Sequence, residues 1–86
     1  MKLKIIKKNK ETVEAQLIDN GRVIDMLIMP LDFRFDTVLV TSIDKILKKN
    51  RIRKVSSLDV LMEGFEDESS MSFLIAKTVA EALKIK

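Results

Sequence analysis

The chain has 86 residues, 47% of them hydrophobic, with 16 Lys and Arg against 13 Asp and Glu for a net charge of +3. That length holds one small domain, spanning 1–86, and a chain so apolar, with two Gly and one Pro, is not a disordered one. Cys and His are both absent, which excludes disulfides, thiolate metal sites and the commonest general base, and leaves carboxylates, lysines and hydroxyls for any chemistry.

The first segment, Lys2 to Lys8, alternates weakly, with Leu3 and Ile5 on one side and Lys2 and Lys4 on the other. In the second, Val13, Ala15 and Leu17 alternate with Thr12, Glu14 and Gln16, so both read as half-buried strands. Lys2, Lys4, Thr12, Glu14 and Gln16 are expected to face water, and the apolar set to face helices. Between Leu17 and Val23, Asn20 and Gly21 supply the positive φ angles of a tight hairpin, which makes the second and third strands antiparallel neighbours. The third segment, Arg22 to Met29, is apolar in both phases and ends at Pro30, which cannot donate to a ladder. That pattern predicts a strand covered on more than one side.

Thr37 to Asn50 places Leu39, Ile43, Ile46 and Leu47 at helical spacing, with Asp36 or Thr37 positioned to cap the first turn. A basic cluster follows, Lys48, Lys49, Arg51, Arg53 and Lys54, whose structural reading is that cations complement the negative end of this helix. Its functional reading is phosphate contact in RNA, without the aromatic residues of a stacking platform. Residues 58 to 62, LDVLM, form a short strand that follows a helical crossover and is expected to lie parallel to a strand already in the sheet. The last helix, Ser70 to Lys84, confines Lys77, Glu81 and Lys84 to one narrow stripe and is apolar nearly everywhere else. One sheet cannot cover such a helix, so it must be buried on two sides. Val38 and Val40 widen the first helix in the same way.

The loop before the last helix reads GFEDESS. A phosphate cradle needs glycines that let backbone N–H groups approach the anion, and a helix N-terminus left open to it. Glu66, Asp67 and Glu68 would repel a phosphate and favour that terminus themselves, with Ser69 or Ser70 capping it. A divalent cation held by Glu63, Glu66, Asp67 and Glu68 is the competing reading, but the spaced ligands and turn glycine of a calcium loop are missing.

The strand, the hairpin LIDNGRVID, the helix VLVTSIDKILKKN, the strand SSLDVLM and the loop entering the final helix together resemble the N-terminal lobe of the glycoprotease-like family of the actin and ribonuclease H-like fold. The similarity is greatest to its TsaB-like branch, the non-catalytic partners in bacterial synthesis of the tRNA modification threonylcarbamoyladenosine. It covers essentially the whole sequence, after which family members carry a second lobe. The motifs differ. Where the family has an Asp-Thr-Ser-like turn after the first strand, this chain has Lys7, Lys8 and Asn9, and along the family's GPGSFTG stretch it has residues 66 to 72, with only Ser69 and Ile75 matching in that region.

The expected fold is therefore α+β, a two-layer half of a ribonuclease H-like fold in the order βββαβα, with three antiparallel strands, one parallel strand and both helices on one face. No nucleophile and base pair can be assembled from Asp19, Asp25, Asp32, Asp36, Asp44 and Asp59, so no catalysis, cofactor or metal is expected. The resemblance implies pairing through the two helices, as a homodimer or with a glycoprotease-like subunit. The expected interface draws on Val38, Val40, Ile43, Leu47, Met71, Leu74, Ile75, Thr78, Val79 and Ala82. The alternative is a small RNA-binding module using the basic cluster. No apolar run approaches the roughly 18 residues of a membrane span, and the Lys-rich start lacks a signal peptide's apolar stretch, so a cytoplasmic location without a membrane partner is expected.

Overall fold

The computed structural model describes residues 1–32, 34–52, 58–66 and 70–85. Strands β1 (Lys2–Lys7), β2 (Thr12–Asp19) and β3 (Arg22–Pro30) precede helix α1 (Phe35–Lys49), strand β4 (Asp59–Glu63) and helix α2 (Met71–Ile85). The four strands form one sheet in the order β3-β2-β1-β4. β1 and β3 both pair antiparallel with β2, and β4 pairs parallel with β1 through Leu3↔Val60 and Ile5↔Met62. This is the expected α+β arrangement.

Local chemistry explains the turns. Asn20 and Gly21 take φ of 51° and 78°, the two positive angles that let a two-residue hairpin match the strand twist. At the other end of β2, the Asn9 side chain accepts the N–H groups of Glu11 and Thr12, at 2.8 and 2.9 Å, and so organises the β1–β2 connection. Gly64 ends β4 with φ of 80°, and its Cα packs so closely on β1 that a Cβ there would meet the Lys7 carbonyl oxygen at 2.3 Å. Only glycine fits that approach.

The core lies between the sheet and the helices. Leu3 and Ile5 of β1, Val13, Ala15 and Leu17 of β2 and Met29 of β3 are buried against Phe35, Leu39, Ile43 and Ile46 of α1 and against Ala76 and Ala80 of α2. The two buried alanines are small enough to bring α2 close to the layer beneath it. Ile75, Val79 and Leu83 pack partly against the same core.

The structure corrects three expectations. β3 is not covered on several sides: it forms a sheet edge, and Val23, Ile24, Met26 and Ile28 are exposed. Neither Asp36 nor Thr37 caps α1, because the helix begins earlier, at Phe35, whose side chain is buried in the core. The carboxylate that serves this entry is Asp32, which accepts the Arg34 N–H at 2.9 Å. Glu14 does not simply face water, since it is 5% exposed and its Oε2 receives Gln16 Nε2 at 2.7 Å and Lys8 Nζ at 3.2 Å. A carboxylate can be buried on the bare face of a sheet when long neighbours fold over it and pair with it.

Candidate interaction surface

α1 and α2 lie on the same layer, and their facing sides do not close completely. A groove of about 320 Å³ runs between them, lined by Asp36 and Val40 of α1 and by Met71, Leu74, Ile75, Thr78 and Val79 of α2. The helical repeat produces it. In α1 the inward stripe is Leu39, Ile43, Ile46 and Leu47, which turns Val40 outward. In α2 the inward residues are Ala76 and Ala80, which places Leu74 on the outer side of the groove and Ile75 and Val79 half-buried in its floor. Val40 is 54% exposed, Met71 72% and Leu74 47%.

The groove is apolar because its one hydroxyl is already used. Thr78 Oγ1 donates to the Leu74 carbonyl at 2.8 Å, the back-bond to the preceding turn that helical threonines make. Asp36 supplies the charge at the rim, where its Oδ1 accepts the Thr37 N–H at 2.8 Å. Nothing in this lining resembles a reacting pair of groups.

Of the ten residues expected at the interface, the groove brings together Val40, Met71, Leu74, Ile75, Thr78 and Val79. Val38 is half-buried against the core and Ala82 is exposed farther along α2. Ile43 and Leu47 leave the surface altogether. They are 2% and 7% exposed inside the core, so no partner can reach them in the folded chain. Helical spacing identifies the apolar positions, but only the packing of α1 on the sheet divides inner from outer ones.

The described part of the basic cluster, Lys48, Lys49 and Arg51, lies at a helix end. Lys48 and Lys49 occupy the last turn of α1, near the negative end of its dipole. Lys48 Nζ lies 3.0 Å from Asp44 Oδ2, and Lys49 Nζ lies 3.7 Å from Asp25 Oδ2. Arg51 follows the C-cap Asn50 with φ of 57°, its N–H donating to the Lys48 carbonyl at 3.2 Å while the Ile52 N–H donates to Leu47 at 2.9 Å. Those two bonds make the Schellman closure, in the position where glycine is usual. Arg53 and Lys54 lie outside the described residues.

Asn50 ties this end to the sheet. Its Nδ2 donates to Asp25 Oδ2 at 2.9 Å and to the Ile46 carbonyl at 2.8 Å. The Asn50 hydrogen bond, foremost, holds the Asp25 carboxyl below its ordinary value of 3.8; desolvation opposes this, and the Met26 N–H and Lys49 add to the lowering.

At the start of α2, Ser70 Oγ accepts the Phe73 N–H at 3.2 Å, an N-cap bond to the third helical residue. The expected cap is therefore made by Ser70, while Asp67, Glu68 and Ser69 lie outside the described residues. Phe65 and Phe73 meet edge to face, with centroids 6.0 Å apart, and tie the residue that follows Gly64 to α2. Among the described residues no group of three or more acidic side chains is placed to hold a metal ion. No helix among them is long and apolar enough to cross a membrane. No protein-family model matches the chain, and no curated protein or solved structure is significantly similar to it.

Proposed function

We propose that this chain is a non-catalytic interaction domain that associates with a second copy of itself through α1 and α2. The observation that carries this reading is the open groove between the helices, rimmed by the exposed side chains of Val40, Met71 and Leu74. Large apolar side chains gathered at one place on a small domain mark an association site, whereas singly scattered ones do not. Seating the two helices of a second copy across the groove produces a bundle whose apolar stripes face one another. The resemblance to TsaB-like proteins supports the same face, because the corresponding helices form their pairing surface. It also supplies the reading in which a glycoprotease-like subunit of tRNA threonylcarbamoyladenosine synthesis occupies that face.

Phosphate binding by the basic cluster is the weaker reading, since Lys48 and Lys49 each lie beside a carboxylate at the end of α1. Light scattering on the native chain and on Leu74→Lys and Val40→Lys tests the proposal. Both residues project into solvent, so the variants should keep their circular dichroism while their mass falls below that of the native chain. An unchanged mass, or a native chain that stays monomeric at every concentration, removes the helix face from consideration. Binding to a mixed-sequence RNA that weakens steeply with added salt would favour the basic cluster instead.

A further inference from the structure

The outward side of α2 combines an apolar stripe with two charges that the fold leaves open. Met71 and Leu74 are exposed, and Thr78 and Ala82, also exposed, continue their line at helical spacing toward the end of the helix. The stripe changes character along its length. Its first half is bulky, whereas Thr78 and Ala82 are small, and Thr78 turns its hydroxyl back onto the Leu74 carbonyl. Small side chains let a second helix approach closely and leave room for large ones from it.

Ile75 and Val79 line the groove toward α1, so the helical repeat places Lys77 and Glu81 along the opposite border of the stripe. Both are exposed, and they are four residues apart, the spacing at which opposite charges on one helix meet. On α1 such a pair closes, Lys48 with Asp44 at 3.0 Å. On α2 the order is reversed, with the lysine first, which is the weaker orientation. Among the described residues neither Lys77 nor Glu81 has an ion-pair partner.

A border with one cation and one anion complements itself when reversed. Resting on the helix-face reading above, we propose that α2 packs antiparallel on α2 of a second copy, about a two-fold axis that crosses the pair at the level of Val79. Lys77 and Glu81 are each two residues from that level, on opposite sides of it. Lys77 of each copy therefore lies level with Glu81 of the other, and the axis keeps the charged border of one helix beside the charged border of its mate. The apolar stripes interleave in the same register. Leu74 of one copy meets Ala82 of the other, large against small, and the two Thr78 residues straddle the axis about 3 Å apart along it. A parallel pair would instead set Lys77 against Lys77 and Glu81 against Glu81, like charge on like. The occupant that this face fits is accordingly a second copy of the chain, since reversal of the same sequence supplies both missing partners.

Lys77→Glu and Glu81→Lys each give the border a single sign, and both positions are exposed, so circular dichroism should stay native. By analytical ultracentrifugation, each variant alone should dimerise about tenfold more weakly than the native chain, because two exposed opposite-charge pairs become two like-charge contacts. Mixed in equal amounts, the two variants should recover dimers that neither forms alone at that concentration, as an acidic border then meets a basic one. An effect confined within one helix gives no recovery on mixing. Leu74→Lys should remove the dimer in the native and in the mixed samples. If the native chain dimerises and Leu74→Lys breaks it, yet the charge variants match the native chain or gain nothing on mixing, the antiparallel arrangement is overturned and the helix-face reading stands. A native chain that stays monomeric at every concentration overturns both.

Discussion

Gly64 and Gly21 share a backbone angle and differ in what surrounds them, which permits a clean test of how β4 is held. Their φ values are 80° and 78°, but an added Cβ at Gly64 meets the Lys7 carbonyl oxygen at 2.3 Å, whereas at Gly21 nothing lies within 4 Å. Gly21→Ala incurs only the left-handed backbone penalty, about 1–2 kcal/mol. Gly64→Ala incurs the same penalty plus overpacking against a main-chain atom that cannot rotate away, about 1–3 kcal/mol more. The alanine's smaller freedom in the unfolded chain enters both variants alike and cancels in the difference. Urea unfolding followed by circular dichroism should therefore place Gly64→Ala below Gly21→Ala by about 1–3 kcal/mol. In a domain of this size that is a gap of roughly 4–24 °C in Tm. Since the whole domain is stable by only roughly 4–13 kcal/mol, the larger loss removes much of its margin. If the two variants melt together, β4 does not approach β1 closely at Lys7 and the account of that junction is wrong. The junction matters beyond stability, because Gly64 is where the chain leaves β4, against the Lys7 backbone of β1.

Arg51→Gly should stabilise the chain, by up to about 1 kcal/mol or a rise of a few degrees in Tm, because glycine adopts the left-handed closure of α1 without strain. An unchanged or lowered Tm would mean that the arginine side chain contributes more than its backbone costs. Ser70→Ala removes the cap of α2 and should cost about 1 kcal/mol, measured by chemical unfolding, with Ser70→Asp retaining most of it. Asp25 predicts a pH dependence. Its folded value is depressed, so the unfolded chain takes up the proton first, and the stabilisation is fully present above the ordinary value of 3.8 and is lost as pH falls through the lower folded value. Following the Asp25 carboxyl by NMR should show the low midpoint, and Asn50→Ala should move it upward; a midpoint indifferent to that change would refute the assignment of its cause.

Much of the fold is legible in the residues themselves. Asn20 and Gly21 specify the hairpin because few other pairs accept two positive φ angles, and that fixes β2 and β3 as neighbours. The period-two pattern of Val13, Ala15 and Leu17 marks the inner face of β2, and the helical spacing of Leu39, Ile43 and Ile46 marks the inner side of α1. The candidate surface was legible only in part. An apolar excess on α2 signalled that one sheet could not cover it, but on α1 the sequence did not separate surface from interior, and Ile43 and Leu47, expected at the interface, belong to the core by position.

What the sequence by itself determined is therefore the elements, their order and the residues each prefers to hide, since these follow from turn chemistry and periodicity within short stretches of chain. Only the tertiary structure decided which apolar side chains were left without cover. β3 has apolar residues in both phases, a pattern shared by central strands, yet it lies at the edge because β1 takes the other side of β2 and β4 adds beyond β1. Val40 and Leu39 are adjacent in sequence and opposite in fate, because the direction from which the sheet approaches α1 divides them. Hydrophobicity records that a side chain avoids water; what shields it is a matter of which elements the whole chain brings alongside.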